Sequence, residues 1–186
     1  MAFGAFVALF LALSSAGCTT ELGAFAARIP DGAPTTNAGL RVAGRVHPNG
    51  NRGLFVGAEE SVAMQVGNTC CDQWRLRVGA GYAALPTVSG ERVGFEAGLF
   101  GGMGRIPRND RELALGAVFG PVFAVPIRLT KTRPPWQADD LLGRDIQLVP
   151  EGSLSGLLVG GDPIAVRYEL AFGLALRMHV FVGALP

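Results

Sequence analysis

Residues 164–183, IAVRYELAFGLALRMHVFVG, sort their side chains by parity. Ile164, Val166, Tyr168, Leu170, Phe172, Leu174, Leu176, Met178, Val180 and Val182 take the even positions. Ala165, Arg167, Glu169, Ala171, Gly173, Ala175, Arg177 and His179 take the odd ones. Successive side chains of an extended chain point to opposite faces, so a period of two gathers every bulky apolar group on one side. A helix would scatter the same groups around its circumference. The stretch therefore reads as one long β-strand with a greasy face and a small or charged face.

Weaker copies of the pattern precede it. Trp74, Leu76, Val78, Ala80 and Tyr82 oppose Arg75, Arg77, Gly79 and Gly81; Val93, Phe95, Ala97 and Leu99 oppose Arg92, Gly94, Glu96 and Gly98; Leu113, Leu115, Ala117 and Phe119 oppose Glu112, Ala114 and Gly116. Turn-forming clusters separate the runs: His47-Pro48-Asn49-Gly50-Asn51, the stretch around Cys70 and Cys71, Pro86 to Gly90, Pro107 to Asp110 and Gly160 to Pro163. The reading gives strands near 38–47, 52–66, 72–84, 91–103, 111–128, 145–159 and 164–183. An eighth lies at 21–29, or arises from a break of the fifth run at Gly120-Pro121. Thr130 to Arg144 is the one long loop. Strands joined by tight turns make a meander, and closing a meander on itself removes its two exposed edges. The expected fold is all-β, an antiparallel up-and-down β-barrel of about eight strands.

The chain has 186 residues, enough for one domain. Only 17% of them are charged and 49% are hydrophobic, with a mean hydropathy of +0.33, so an apolar medium is expected to face the protein. Net charge is +1 and the basic residues are scattered, which argues against nucleic acid as a partner. At the N-terminus, the apolar run Ala2 to Leu13 leads through Ser14-Ser15-Ala16-Gly17 to Cys18, the layout of a secretory signal peptide. It is shorter than the roughly 20 residues a transmembrane helix needs. Ser15-Ala16-Gly17-Cys18 resembles the lipobox of bacterial lipoproteins, which implies that Cys18 carries a diacylglycerol and becomes the new N-terminus. Ser15 stands where that family usually has leucine, and no basic residue precedes the apolar run. The expected organisation is a signal peptide over 1–17, an N-terminal tether over 18–37 that includes a first strand if one forms there, and a barrel over 38–186.

The direction of the faces decides what surrounds the barrel. The second face is mostly Gly and Ala with occasional Arg and Glu, which suits a narrow lumen better than a water-facing exterior. Arg75, Arg77, Arg92, Glu96, Glu112, Arg167 and Glu169 are then expected to pair within that lumen, because isolated buried charges are costly. In pattern the chain resembles small outer-membrane β-barrel proteins of Gram-negative bacteria, which implies an outer-membrane location, embedded or held by its lipid on the periplasmic face. Against embedding stand the length of the last strand, beyond the 9–11 residues or so that cross a bilayer, and the end Ala184-Leu185-Pro186, which lacks a terminal aromatic. The rival is a lipid-anchored periplasmic barrel, similar in outline to a lipocalin, that holds an apolar ligand inside. Leu170, Phe172, Leu174 and Leu176 separate the two readings by pointing out or in.

Reactive chemistry is sparse. Ser153 and Ser155 with Glu151 or Glu169 and His179 would need to converge for acyl transfer, and no G-x-S-x-G marks a nucleophile; no catalytic residue is assigned. Two histidines, His47 and His179, and the adjacent Cys70 and Cys71 lack metal-ligand spacing, whereas the two cysteines could form a vicinal disulfide, or pair between chains, in an oxidising compartment. The glycine-rich run Gly98 to Gly104 lacks the Lys-Ser/Thr of a phosphate loop. No cofactor is expected. Trp74, Tyr82, Trp136 and Tyr168 are either interfacial belt residues or core. The expected function is a structural, adhesive or membrane-organising role without catalysis, with membrane lipid as the partner and protein partners undefined.

Overall fold

The structure, a computed structural model, describes residues 17–30, 35–48, 52–66, 73–86, 92–108, 112–129, 142–161 and 163–182. Among these described residues nine strands follow in chain order: β1 (Gly17–Ile29), β2 (Thr35–His47), β3 (Arg52–Gln65), β4 (Gln73–Ala84), β5 (Phe95–Pro107), β6 (Leu113–Ala124), the short β7 (Ile127–Arg128), β8 (Leu142–Val159) and β9 (Ala165–Val182). Each strand from β1 to β6 pairs antiparallel with the next, β8 with β9, and β9 with β1. The β6–β8 pairing closes the sheet, so the wall has eight strands, and β7 is an extra rung on β8.

Register sets the shape of that wall. From Cys18 the pairs run to Val46, Val56, Ala80, Leu99 and Pro121, across to Leu154, then to Leu170 and back to β1 at Arg28. The circuit returns ten residues further along, from 18 to 28, which is the shear of the barrel. Eight strands with that shear tilt by about 40°, so each residue climbs roughly 2.5 Å along the axis. A strand of 13 residues such as β1 thus rises about 32 Å. The end holding Gly17 and Val182, the terminal end, carries the connections over 48–51, 85–94 and 125–141. The far end carries the short ones over 30–34, 66–72, 108–112 and 160–164.

The strand pattern departs from the sequence reading in places that have local causes. Residues 18–37, read as a tether or a first strand, supply β1 and the start of β2. The fifth strand of the wall begins at Phe95, not near 91: Val93 makes an isolated bridge to Ile127, and Arg128 N donates to the Arg92 carbonyl, so residues 92–94 pair outside the main ladder. The Gly120-Pro121 step does not end β6. Proline lacks an N–H, and the β6–β8 ladder skips from Phe119 to Val122 and then resumes. The excess length of the last hairpin lies at the terminal end, where β8 residues 142–150 run past the end of β6 and β7 covers Gln147 and Leu148.

Inside, two apolar plugs cap the lumen. Ile29, Ile106, Val118, Leu157 and Val159 pack together towards the far end; Phe55, Ala83, Leu85, Phe100 and Val122 form the second group, nearer the terminal end. Glycines make room for the second plug: a Cβ on Gly81 would stand 2.7 Å from Phe55 Cζ, and one on Gly79 the same distance from Phe100 Cγ. Ile106 is fully buried in the first plug. Ile106→Val removes one buried methylene, and we expect it to cost about 1 kcal/mol, read as a small shift of the urea midpoint with unchanged slope.

Candidate functional site

Between the plugs lies a layer of charge. Odd positions of β1, β2, β3, β4, β8 and β9 and the even Glu96 of β5 point inward, and the wall delivers Arg41, Arg45, Arg75, Arg77 and Arg177 opposite Glu21, Glu59, Glu96, Glu151 and Glu169. Five guanidinium groups meet five carboxylates, so this layer is electrically balanced. Arg45 donates to Glu21 at 2.7 Å, to Glu96 at 2.6 Å and to Glu151 at 3.3 Å. Arg177 donates through Nε to Glu21 and through Nη1 to Glu96, each at 2.7 Å. Arg41 reaches Glu59 at 3.5 Å and Glu21 at 3.6 Å, and also pairs with Glu151. Arg77 donates through Nε to Glu59 at 3.1 Å. Arg75 holds Glu169, with Nη2 at 2.7 Å, and leans on Gln73 Oε1 at 3.3 Å; Gln73 in turn donates to Asn37.

Arginine suits this setting because its planar fork serves two carboxylates at once and keeps its charge. Bringing ten ions out of water is expensive and is offset only when nearly every charge is matched. The terminal-end plug closes over the layer: the Arg45 guanidinium lies 5.5 Å from the Phe55 ring centre and 6.0 Å from that of Phe100. His47 packs against Phe55 with ring centres 5.5 Å apart and planes tilted by 41°, and its Nε2 lies 3.5 Å from Thr19 Oγ1. Arg41, Arg75, Arg77, Glu59, Glu151 and Glu169 help line a cavity of about 20 Å³. That is room for a water molecule and far below the hundreds of cubic ångströms of a ligand pocket.

Of the residues expected to pair in the lumen, Arg75, Arg77, Glu96 and Glu169 lie in this layer. Arg92 and Glu112 do not; they precede β5 and β6 and stand exposed at the barrel mouths. Arg167 shares the inward parity but sits near the far rim, 3.4 Å from the carbonyls of Pro107 and Arg108. The sequence reading missed Glu21, Arg41, Arg45, Glu59 and Glu151, and placed Arg177 on the right face without assigning it to the network. Ser155 stands opposite Glu169, yet His179 is ten residues further along β9, some 33 Å away at 3.3 Å per residue, so these three do not converge. Cys70, Cys71, Trp136 and the His179 side chain lie outside the described residues. Among the described residues no group of three or more His, Cys, Asp or Glu is arranged to hold a metal ion.

The outer wall is the complement of the lumen. Leu170, Phe172, Leu174 and Leu176 are 46%, 71%, 50% and 55% exposed, and every strand of the wall adds exposed large apolar side chains at outward positions. Trp74 and Tyr168 are exposed near the far end and Tyr82 near the terminal end. The molecule is thus a closed eight-stranded antiparallel barrel that is apolar outside and charged inside. No protein-family model matches the chain, and no curated protein sequence matches it. Its fold is similar to that of the crystal structure of Neisserial surface protein A (NspA), with a TM-score of 0.51 and 12% sequence identity over 90% of this chain and 97% of the other.

Proposed function

We propose that this chain is an outer-membrane β-barrel protein with a structural, adhesive or membrane-organising role and no catalytic one. The observation that carries the reading is the reversal of polarity across the wall. Water solvates ions and expels hydrocarbon, so a barrel that buries ten charges and exposes its leucines is built for lipid. The height of the wall supports it: the rise of about 32 Å along β1 is enough to span the roughly 30 Å hydrocarbon core of a bilayer. Trp74 and Tyr168 towards one rim and Tyr82 towards the other suit aromatic belts at two interfaces. The likeness to a surface protein of Neisseria agrees with that location. A barrel carrying an apolar ligand is disfavoured, because the interior cavity among the described residues is only about 20 Å³ and is lined largely by charged side chains.

Membrane lipid is then the direct partner, and lipidation at Cys18 extends the proposal. Cys18 is the second residue of β1, on the outward parity beside the inward Thr19, so an acyl chain there would lie along the outer wall instead of at the tip of a tether. Two results are expected. The folded chain migrates faster than the boiled chain on SDS gels and resists carbonate extraction; release by carbonate with no such shift would sink the membrane reading. Cys18→Ala abolishes metabolic labelling with palmitate, and undiminished labelling removes the anchor alone.

A further inference from the structure

We infer that the outer face of β1 and β2 binds a phosphate-bearing membrane lipid, with Arg28 and Thr36 holding the phosphate and a shallow trough beneath them seating an acyl chain. The inference rests on the reading of the chain as a membrane barrel, and it names the lipid chemistry that one part of the wall selects. Arg28 is outward and exposed one residue short of the end of β1, and Thr36, directly opposite it on β2, is exposed too. Among the described residues the Arg28 guanidinium has no ion-pair or hydrogen-bond partner. Its described neighbours on this face are not acidic: Leu170 flanks it on β9 and Ala26 lies below it on β1. A guanidinium at the edge of hydrocarbon draws an anion, and its planar fork matches two oxygens of a phosphate. The Thr36 hydroxyl is a further donor beside it. Tyr168, two residues beyond Leu170 and exposed, marks the same depth as interfacial.

Below Arg28 and Thr36 the wall drops. Ala26 and Ala38 pair across β1 and β2, and both are exposed. Phe172 of β9 stands beside Ala26 and Met64 of β3 beside Ala38, so two methyl groups lie between two long exposed side chains. The low strip continues to Ala24 and ends at the exposed Leu22, six residues below Arg28. At about 2.5 Å per residue that is roughly 15 Å, half of the hydrocarbon core and so the depth of one leaflet. A trough of that length beneath a phosphate ligand fits one acyl chain hanging from its headgroup. Lipid tails are as apolar as leucine, so the trough contributes close packing and the phosphate contributes selectivity. Arg105 of β5 is the internal comparison. It is outward, exposed and two residues from its strand end, but Trp74 and Leu115 flank it and Met103 lies below, so it has the charge without the trough.

The test uses the full chain, purified in detergent and weighed intact by native mass spectrometry with lipids of equal acyl length: phosphatidylglycerol, a phosphorylated glucosamine glycolipid and the uncharged galactosyl diacylglycerol. A phosphate-bearing lipid is expected to bind about tenfold tighter than the galactolipid, and whichever of the two phosphate lipids is held better identifies the source. Arg28→Gln should weaken that binding about fivefold, and Ala38→Phe, which fills the trough, about threefold. Arg105→Gln should stay within about twofold of the wild type. All three variants change exposed positions and should keep the heat-dependent gel shift. Equal retention of the galactolipid, undiminished binding by Arg28→Gln or by Ala38→Phe, an equal loss in Arg105→Gln, or displacement of the lipid by inorganic phosphate overturns the inference. Loss of the gel shift in the wild type would instead undo the membrane reading beneath it.

Discussion

Replacing Arg75 by methionine is expected to destabilise the barrel by about 3–5 kcal/mol. Arg75 and Glu169 are both buried, and Glu169 has no other ion-pair partner among the described residues. Removing the guanidinium keeps most of the packing of the stem but strands a carboxylate in the lumen, and that stranded charge, more than the lost contact, sets the cost. The double variant Arg75→Met, Glu169→Leu removes both ions and should regain most of the loss, because apolar pairs often replace buried ion pairs at no net cost. Urea titration in lipid vesicles of the wild type, both single variants and the double variant closes the cycle. Additive losses would mean that the two side chains do not act as a pair.

Leu174→Arg tests the opposite surface. Leu174 is half exposed at the middle of β9, opposite Ala24 of β1 and Pro150 of β8. If lipid surrounds it, arginine there should cost about 2–4 kcal/mol, falling to about 0–1 kcal/mol for Val66→Arg at the far rim. A barrel in water would tolerate either change within about 0.5 kcal/mol, as exposed sites do. Depth dependence is therefore the signature, and equal small effects at both positions would remove lipid from the account.

How much of this was legible in the sequence depends on how strongly each strand separates its faces. In β9 every even residue from Val166 to Val182 is large and apolar, and its orientation could be read directly. In β1 the inward set Glu21, Gly23, Phe25, Ala27 and Ile29 differs little in bulk from the outward Leu22, Ala24, Ala26 and Arg28, so the strand resembled a tether. That hid Glu21, which three arginines share. Parity names a face but not a depth: Arg92, Glu112 and Arg167 have the parity of the lumen, yet they lie at or beyond the ends of the ladder. Contacts such as Arg45 with Glu96, or Arg177 with Glu96, join residues 51 and 81 positions apart. They follow from shear and closure, which only the register between strands defines.

The seam of the barrel is β1 against β9, the earliest and the latest strands of the ladder. The ribbon therefore stays an open sheet, with two bare edges and Arg75 without its carboxylate, until its last hairpin arrives. Arg177 reaches Glu21 only across that seam, so the final strand brings the missing hydrogen-bond ladder, a third guanidinium for Glu21 and, in Glu169, the counter-charge of Arg75. Completion is all-or-none: a chain halted before residue 165 would carry a bare Arg75 and two sticky margins into whatever machinery handles it, and should be cleared by proteases instead of persisting as a smaller barrel.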